Sequence, residues 1–337
     1  MEEKDYSISV IRLISMLMII SCHILQGLNN RWAFWINVGV QIFFFMSGFL
    51  YGKKIIKNNK EFYKKRIIKV LVPYCIIFTI VLFLDFCFLN NSYPIKRIIG
   101  CFLGLGAFGN NIPILTHTWF VSYILLCYIL VPLLQFIFNK PNFKSNFLIF
   151  LVITLLIQML NIYEIINIEA CWINNFIYGY FYGKCCNEEK QERKFNIFIT
   201  ILLVIIMPLA VIYQEKIPII LPDILNSYSN IIVNYGHVLL GTSIFIILHK
   251  LFNKLNLRKS KLLLFSDKYS YYIYLVHLIF ILRSFSVLFL TKYLFINITL
   301  IILLSIISAL LLKNITDLLL LIINKLYCKL FFLKKKE

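Results

Sequence analysis

Long apolar runs decide what this chain can fold into, and the first of them is the most informative. From Tyr6 to Leu28 the sequence reads YSISVIRLISMLMIISCHILQGL, apolar at nearly every position and long enough to cross a bilayer as a helix. Two ionisable residues, Arg12 and His23, interrupt it. They stand 11 residues apart, which at roughly 100° per residue is three turns plus about 20°, so both point the same way. Ser9, Ser15 and Gln26 fall within about 60° of that line and Ser21 lies opposite. Charged groups in a span cost several kcal/mol unless they face a protein interior or a wet cavity, which makes the stripe a candidate functional site. The other reading is a buried polar contact that only locks helices together.

The rest of the chain repeats the apolar theme. Hydrophobic residues make up 61% of it and charged ones 15%, more apolar surface than a soluble core can use, so an all-α polytopic membrane protein is expected. Ten spans are expected, near 6–28, 33–52, 70–89, 117–138, 146–163, 170–186, 195–213, 230–249, 269–290 and 296–323. Alternating sides puts 26 of the 34 Lys and Arg residues on one face, against five on the other. That bias predicts a cytoplasmic basic face with both termini on it. The net charge of +19 therefore reads as topology and as attraction for the lipid bilayer or an anionic cosubstrate, with no nucleic acid partner. MEEKD at the start lacks a basic n-region, so the first span is kept as a true helix. Residues 1–337 are expected to form a single membrane domain with no appended soluble domain. The nine cysteines are scattered without a CxxC pair, which supports neither a disulfide framework nor a metal site.

Several later residues could carry chemistry or packing. Gly48 and Gly52 in the second span, and Gly179 and Gly183 in the sixth, each repeat at four residues, a pattern that permits close helix approach. The segment KKIIKNNKEFYKKRIIK contributes seven Lys and one Arg at the cytoplasmic face, suited to anionic lipid or a polyphosphate ligand. His117 opens the fourth span near the outer interface, where a half-solvated histidine is ordinary. His237 and His277 lie in apolar runs and are expected to be core histidines. Lys313 and Asp317 are one helical turn apart and can neutralise each other.

Taken in order, Arg12-x10-His23, QIFFFMSGFLYGKK, FYKKRIIKVLVPY, HTWFVSYILLCYILVPLL, FIYGYFYGK and YSYYIYLVHLIFI resemble the membrane-bound acyltransferase type 3 family of bacterial O-acyltransferases over essentially the whole chain. The family often has Arg-x-x-Arg before the third span; here the segment is Arg66-Ile67-Ile68-Lys69, and lysine loses the planar fork. The resemblance implies transfer of an acyl group, usually acetyl, from cytoplasmic acetyl-CoA (acyl-CoA) to a hydroxyl of a carbohydrate or other cell-envelope acceptor at the plasma membrane. His23 is then the general base, and Arg12 holds a CoA phosphate or stabilises developing negative charge. Arg66 and Lys69 take the remaining phosphates. A carrier or flippase for a small polar solute or lipid-linked sugar is the alternative, in which Arg12 and His23 would line a substrate path.

Overall fold

In lipid every backbone N–H and C=O must be satisfied within its own segment, so apolar runs of this length fold as helices. The computed structural model describes residues 5–333 apart from 111, 140–142, 164, 167, 186–222, 256 and 283, and among these there is no strand. Helix α1 spans Tyr6–Gly27 and is capped by Asp5, whose carboxylate accepts from the Ser7 amide at 3.0 Å. It is followed by α2 (Trp32–Ile36), α3 (Gly39–Gly52), α4 (Asn59–Leu89) and the short α5 (Ile95–Phe102). A 3-10 turn at Pro113–Thr118 leads into α6 (Trp119–Phe138). Then come α7 (Phe143–Ile162), α8 (Ala170–Cys185), α9 (Asp223–Lys254), α10 (Lys261–Val276) and α11 (Leu294–Leu333).

Six helical segments among the described residues are long and apolar enough to cross a membrane: Tyr6–Gly27, Trp32–Gly52, Asn59–Leu89, Leu115–Phe138, Val233–Lys254 and Leu294–Leu326. They fall on six of the ten expected spans, and the protein is a membrane protein. Expected spans 146–163 and 170–186 are helical as α7 and α8, but the apolar part of α7 and the 16 residues of α8 are shorter than that measure. The expected span 195–213 and Arg283 lie outside the described residues. Residues 269–290 do not form one continuous helix: α10 stops at Val276 and the chain tightens into a 3-10 turn at His277–Phe280.

The interior is built on the crossing of α3 and α8. A Cβ on Gly48 would stand 2.0 Å from the Phe176 carbonyl oxygen, and one on Gly179 would stand 2.0 Å from that of Phe45. Gly52 and Gly183 meet Tyr180 and Phe49 in the same way, at 2.1 and 2.3 Å. Only a glycine lets two helix backbones touch like this, so the paired small residues act as read from the sequence. Phe44, Phe45, Phe49 and Phe176 are fully buried around the crossing. Helix α1 packs against α10, α3 and α9. His237 donates from Nε2 to the Phe34 carbonyl at 3.1 Å, as a core histidine should. Lys313 and Asp317 form the expected ion pair on α11.

Candidate active site

The polar stripe of α1 faces protein along its basic-side half. Arg12 forms an ion pair with Asp267 of α10, and the Ser9 hydroxyl donates to the other carboxylate oxygen at 2.7 Å. Ser9 and Arg12 are three residues apart and therefore neighbours on the helix surface, so a single carboxylate receives both. This ties α1 to α10 and fixes the direction of the guanidinium.

That pair forms one wall of a cavity of about 330 Å³. Lys54, Arg66 and Lys69 line it as well, with Asp267 as its lone carboxylate. Four cations against one anion leave a strongly positive chamber, and the field concentrates where low-dielectric walls surround it. Arg66 is held over the rings of Tyr51, Phe62 and Tyr128, with its guanidinium carbon 5.2, 5.8 and 5.8 Å from their centroids. Its Nε is buried without a hydrogen-bond partner. The walls themselves are braced. Gln135 of α6 clasps the backbone of Ile56 through both amide atoms, at 2.7 and 3.1 Å, which secures the segment carrying Lys54. The Tyr271 hydroxyl donates to the Val70 carbonyl at 2.8 Å, joining α10 to α4 beside Lys69.

The cavity becomes apolar at its inner end, where Ile19, Phe120 and Tyr274 line it. Immediately behind Tyr274 stand three histidines. The Tyr274 ring lies 5.7 Å from His277 and 5.5 Å from His117, centroid to centroid, and its hydroxyl donates to the His117 carbonyl. His277 sits 5.2 Å from His23 and 5.4 Å from His117 by the same measure. Their tautomers follow from their partners, because a carbonyl oxygen can only accept. His277 donates from Nδ1 to the Tyr274 carbonyl at 2.7 Å, which leaves its lone pair on Nε2. His117 donates from Nε2 to the Leu275 carbonyl at 3.1 Å, which leaves its lone pair on Nδ1. His23 is half-buried, with Nδ1 2.8 Å from Oε1 of Gln26, an exposed residue. The cluster therefore runs from a closed interior at His277 to an open edge at His23. Among the described residues no group of three or more His, Cys, Asp or Glu is arranged to hold a metal ion.

Of the four residues singled out from the sequence, Arg12, Arg66 and Lys69 meet in one cavity. His23 does not line it; it lies one turn beyond Ile19 on the same helix, and about 16 Å along the axis from Arg12. Three participants were given no part in the site from the sequence. Asp267 sits at the basic end of a tyrosine-rich run, and an acidic residue entering a span opposite an intramembrane arginine was the available signal. His277 and His117 were read as core and interfacial residues, yet they are 0% and 4% exposed and flank the site. Nothing in one strand of sequence pairs them with His23.

No curated protein and no solved structure matches the chain. The acyltransferase domain family matches residues 5–313, a stretch that begins at the cap of α1 and takes in the cavity, the histidine cluster and the first half of α11. With its spanning helices, its cationic chamber and a first helix carrying Arg12 and His23, this membrane protein belongs to the acyltransferase 3 family.

Proposed function

We propose that this chain transfers an acyl group, acetyl in the simplest case, from cytoplasmic acyl-CoA to a hydroxyl of a cell-envelope carbohydrate or related acceptor at the bacterial plasma membrane. The observation that carries this reading is the continuity of the site: a cavity cationic at one end and apolar at the other, closed by Tyr274 and Phe120 beneath the histidines. Acyl-CoA has the matching order of groups, with phosphates at one end, a flexible arm and a thioester at the other.

In this scheme Arg66, Lys69 and Lys54 bind phosphates at the mouth. Arg12, aimed by Asp267 and Ser9, holds the donor from the facing wall. Its separation of about 16 Å from His23 makes it a donor-binding group rather than an oxyanion stabiliser at the reacting carbon. The acceptor hydroxyl comes to the thioester from the His23 side. His23 removes the hydroxyl proton as the C–O bond forms; the C–S bond then breaks, and CoA leaves as a thiol once that proton reaches sulfur.

The test uses purified protein in lipid nanodiscs, with thiol release from acetyl-CoA as the readout. Arg66→Gln and Lys69→Gln should each raise the KM for acetyl-CoA about tenfold or more, the loss expected for a charge-assisted contact of about 1.5–3 kcal/mol, with kcat less affected. Absence of acetyl-CoA turnover or binding, together with saturable uptake of a polar solute by the same protein in vesicles, would replace this scheme with a carrier.

A further inference from the structure

We infer that His277 is the proton-holding partner of His23: its Nε2 takes the proton that His23 removes from the acceptor hydroxyl and passes it toward the departing thiolate. The inference rests on the reading of His23 as the base. Three observations carry it. His277 is fully buried at the first residue of the 3-10 turn that ends α10, where neither proline nor glycine accounts for the break. Its Nδ1 is committed to the Tyr274 carbonyl at 2.7 Å, and its Nε2 is buried with no hydrogen-bond partner. A basic nitrogen buried without a hydrogen-bond partner from the protein costs stability, of the order of 1–3 kcal/mol for a buried polar atom, and natural cores satisfy such atoms unless they have a task.

Position supplies the task. His277 stands between His23, 5.2 Å away, and the Tyr274 wall of the cavity, 5.7 Å away by ring centroids. His117 closes the remaining side at 5.4 Å. The titratable groups facing it are thus His23, His117 and Tyr274. The single mobile site of His277 is Nε2, because Nδ1 is already protonated and bonded. The balance is closed: the O–H proton passes from hydroxyl to His23 and then to His277 Nε2. The C–O bond forms, the C–S bond breaks, and the proton ends on sulfur. No other reactant is needed. A second imidazole would leave His23 neutral, and so able to act again, while positive charge rests near the thiolate it must neutralise.

The experiment compares wild type, His277→Gln, His277→Asn, His23→Ala and the His23→Ala/His277→Gln double variant by thiol release from acetyl-CoA, with water as the acceptor. Glutamine retains an N–H for the Tyr274 carbonyl but has no titratable nitrogen. His277→Gln should lose roughly ten- to hundredfold in kcat, within the range of general acid–base contributions, while the KM for acetyl-CoA stays within about twofold. The double variant should be no slower than His23→Ala alone, because the two residues act as a unit. A near-normal kcat in His277→Gln or His277→Asn, or losses that multiply in the double variant, would overturn the inference. So would unfolding of both uncharged variants, which would make His277 a packing group. A His23→Ala enzyme with normal turnover would instead sink the reading of the base underneath it.

Discussion

Alanine at Gly48 is the most demanding test of the packing on which the site depends. Its Cβ would lie 2.0 Å from the Phe176 carbonyl oxygen and 2.8 Å from the Tyr180 amide nitrogen. Both neighbours are backbone, so no side chain can swing aside. Ordinary contact begins near 3.4 Å, so α3 and α8 must part by about 1.4 Å at their crossing, enough to forfeit much of the dispersion energy there. Overpacking of a well-filled core costs about 1–3 kcal/mol, and a backbone obstacle puts this substitution at the upper end. At about 1.4 °C per kcal/mol for a chain of 337 residues, the midpoint of thermal unfolding should fall by roughly 3–5 °C. Buried thiols on α8 and on its neighbour α6, Cys171 and Cys185 on the first and Cys127 on the second, allow unfolding to be followed with a thiol-reactive fluorophore. Gly106→Ala is the control, since a Cβ there meets nothing closer than 3.9 Å. Ser47 and Tyr51 lie on α3 and line the cavity, so Gly48→Ala should also weaken acetyl-CoA binding. Equal midpoints for the two variants would refute direct backbone contact between α3 and α8.

Two further outcomes concern the basic face and the start of α1. Ile55, 75% exposed beside Lys54, and Asn30, exposed after α1, should lie on opposite sides of the membrane. In intact cells an impermeant thiol reagent should label Asn30→Cys and spare Ile55→Cys; the reverse pattern would invert the expected orientation. Burial pulls the Asp5 carboxyl upward, but hydrogen bonds from His249 and Ser7 outweigh it and hold its pKa down to about 2. Since the folded value lies below the ordinary 3.8, this contribution is full above about pH 4 and is lost as pH falls toward 2. Asp5 is 39% exposed, which limits the ion-pair part to about 0–1 kcal/mol. Asp5→Asn keeps the cap and should lose only that amount, whereas Asp5→Ala should lose about 0.5–2 kcal/mol with the cap. Equal melting points for the two variants would show that the cap contributes nothing.

What could be read from the sequence was what a single helix displays. The alignment of Arg12 with His23, the glycine pairs at four-residue spacing and the Lys313–Asp317 pair are all consequences of one helical period. What could not be read was how different helices meet. Asp267 answers Arg12 across the interface of α1 and α10, and His277 reaches His23 only because α10 tightens into a 3-10 turn after Val276. Periodicity extends an apolar run such as YLVHLIFIL straight through that break, since the turn is set by tertiary packing and not by a helix-breaking residue. The same limit applies to His117. Its place before the fourth span reads as interfacial, but the 3-10 turn at Pro113–Thr118 folds it inward until it is 4% exposed.

The measurement that bears most directly on the central claim is acyl transfer by His23→Ala set beside its affinity for acetyl-CoA. His23 lies outside the cavity that would hold the donor, so binding and chemistry can be separated in one variant. The account predicts normal insertion, an acetyl-CoA affinity within about twofold of wild type, and a loss of transfer approaching 10²–10⁴-fold. Near-normal transfer by folded His23→Ala protein would contradict it, and His23 would then be a helix-packing group.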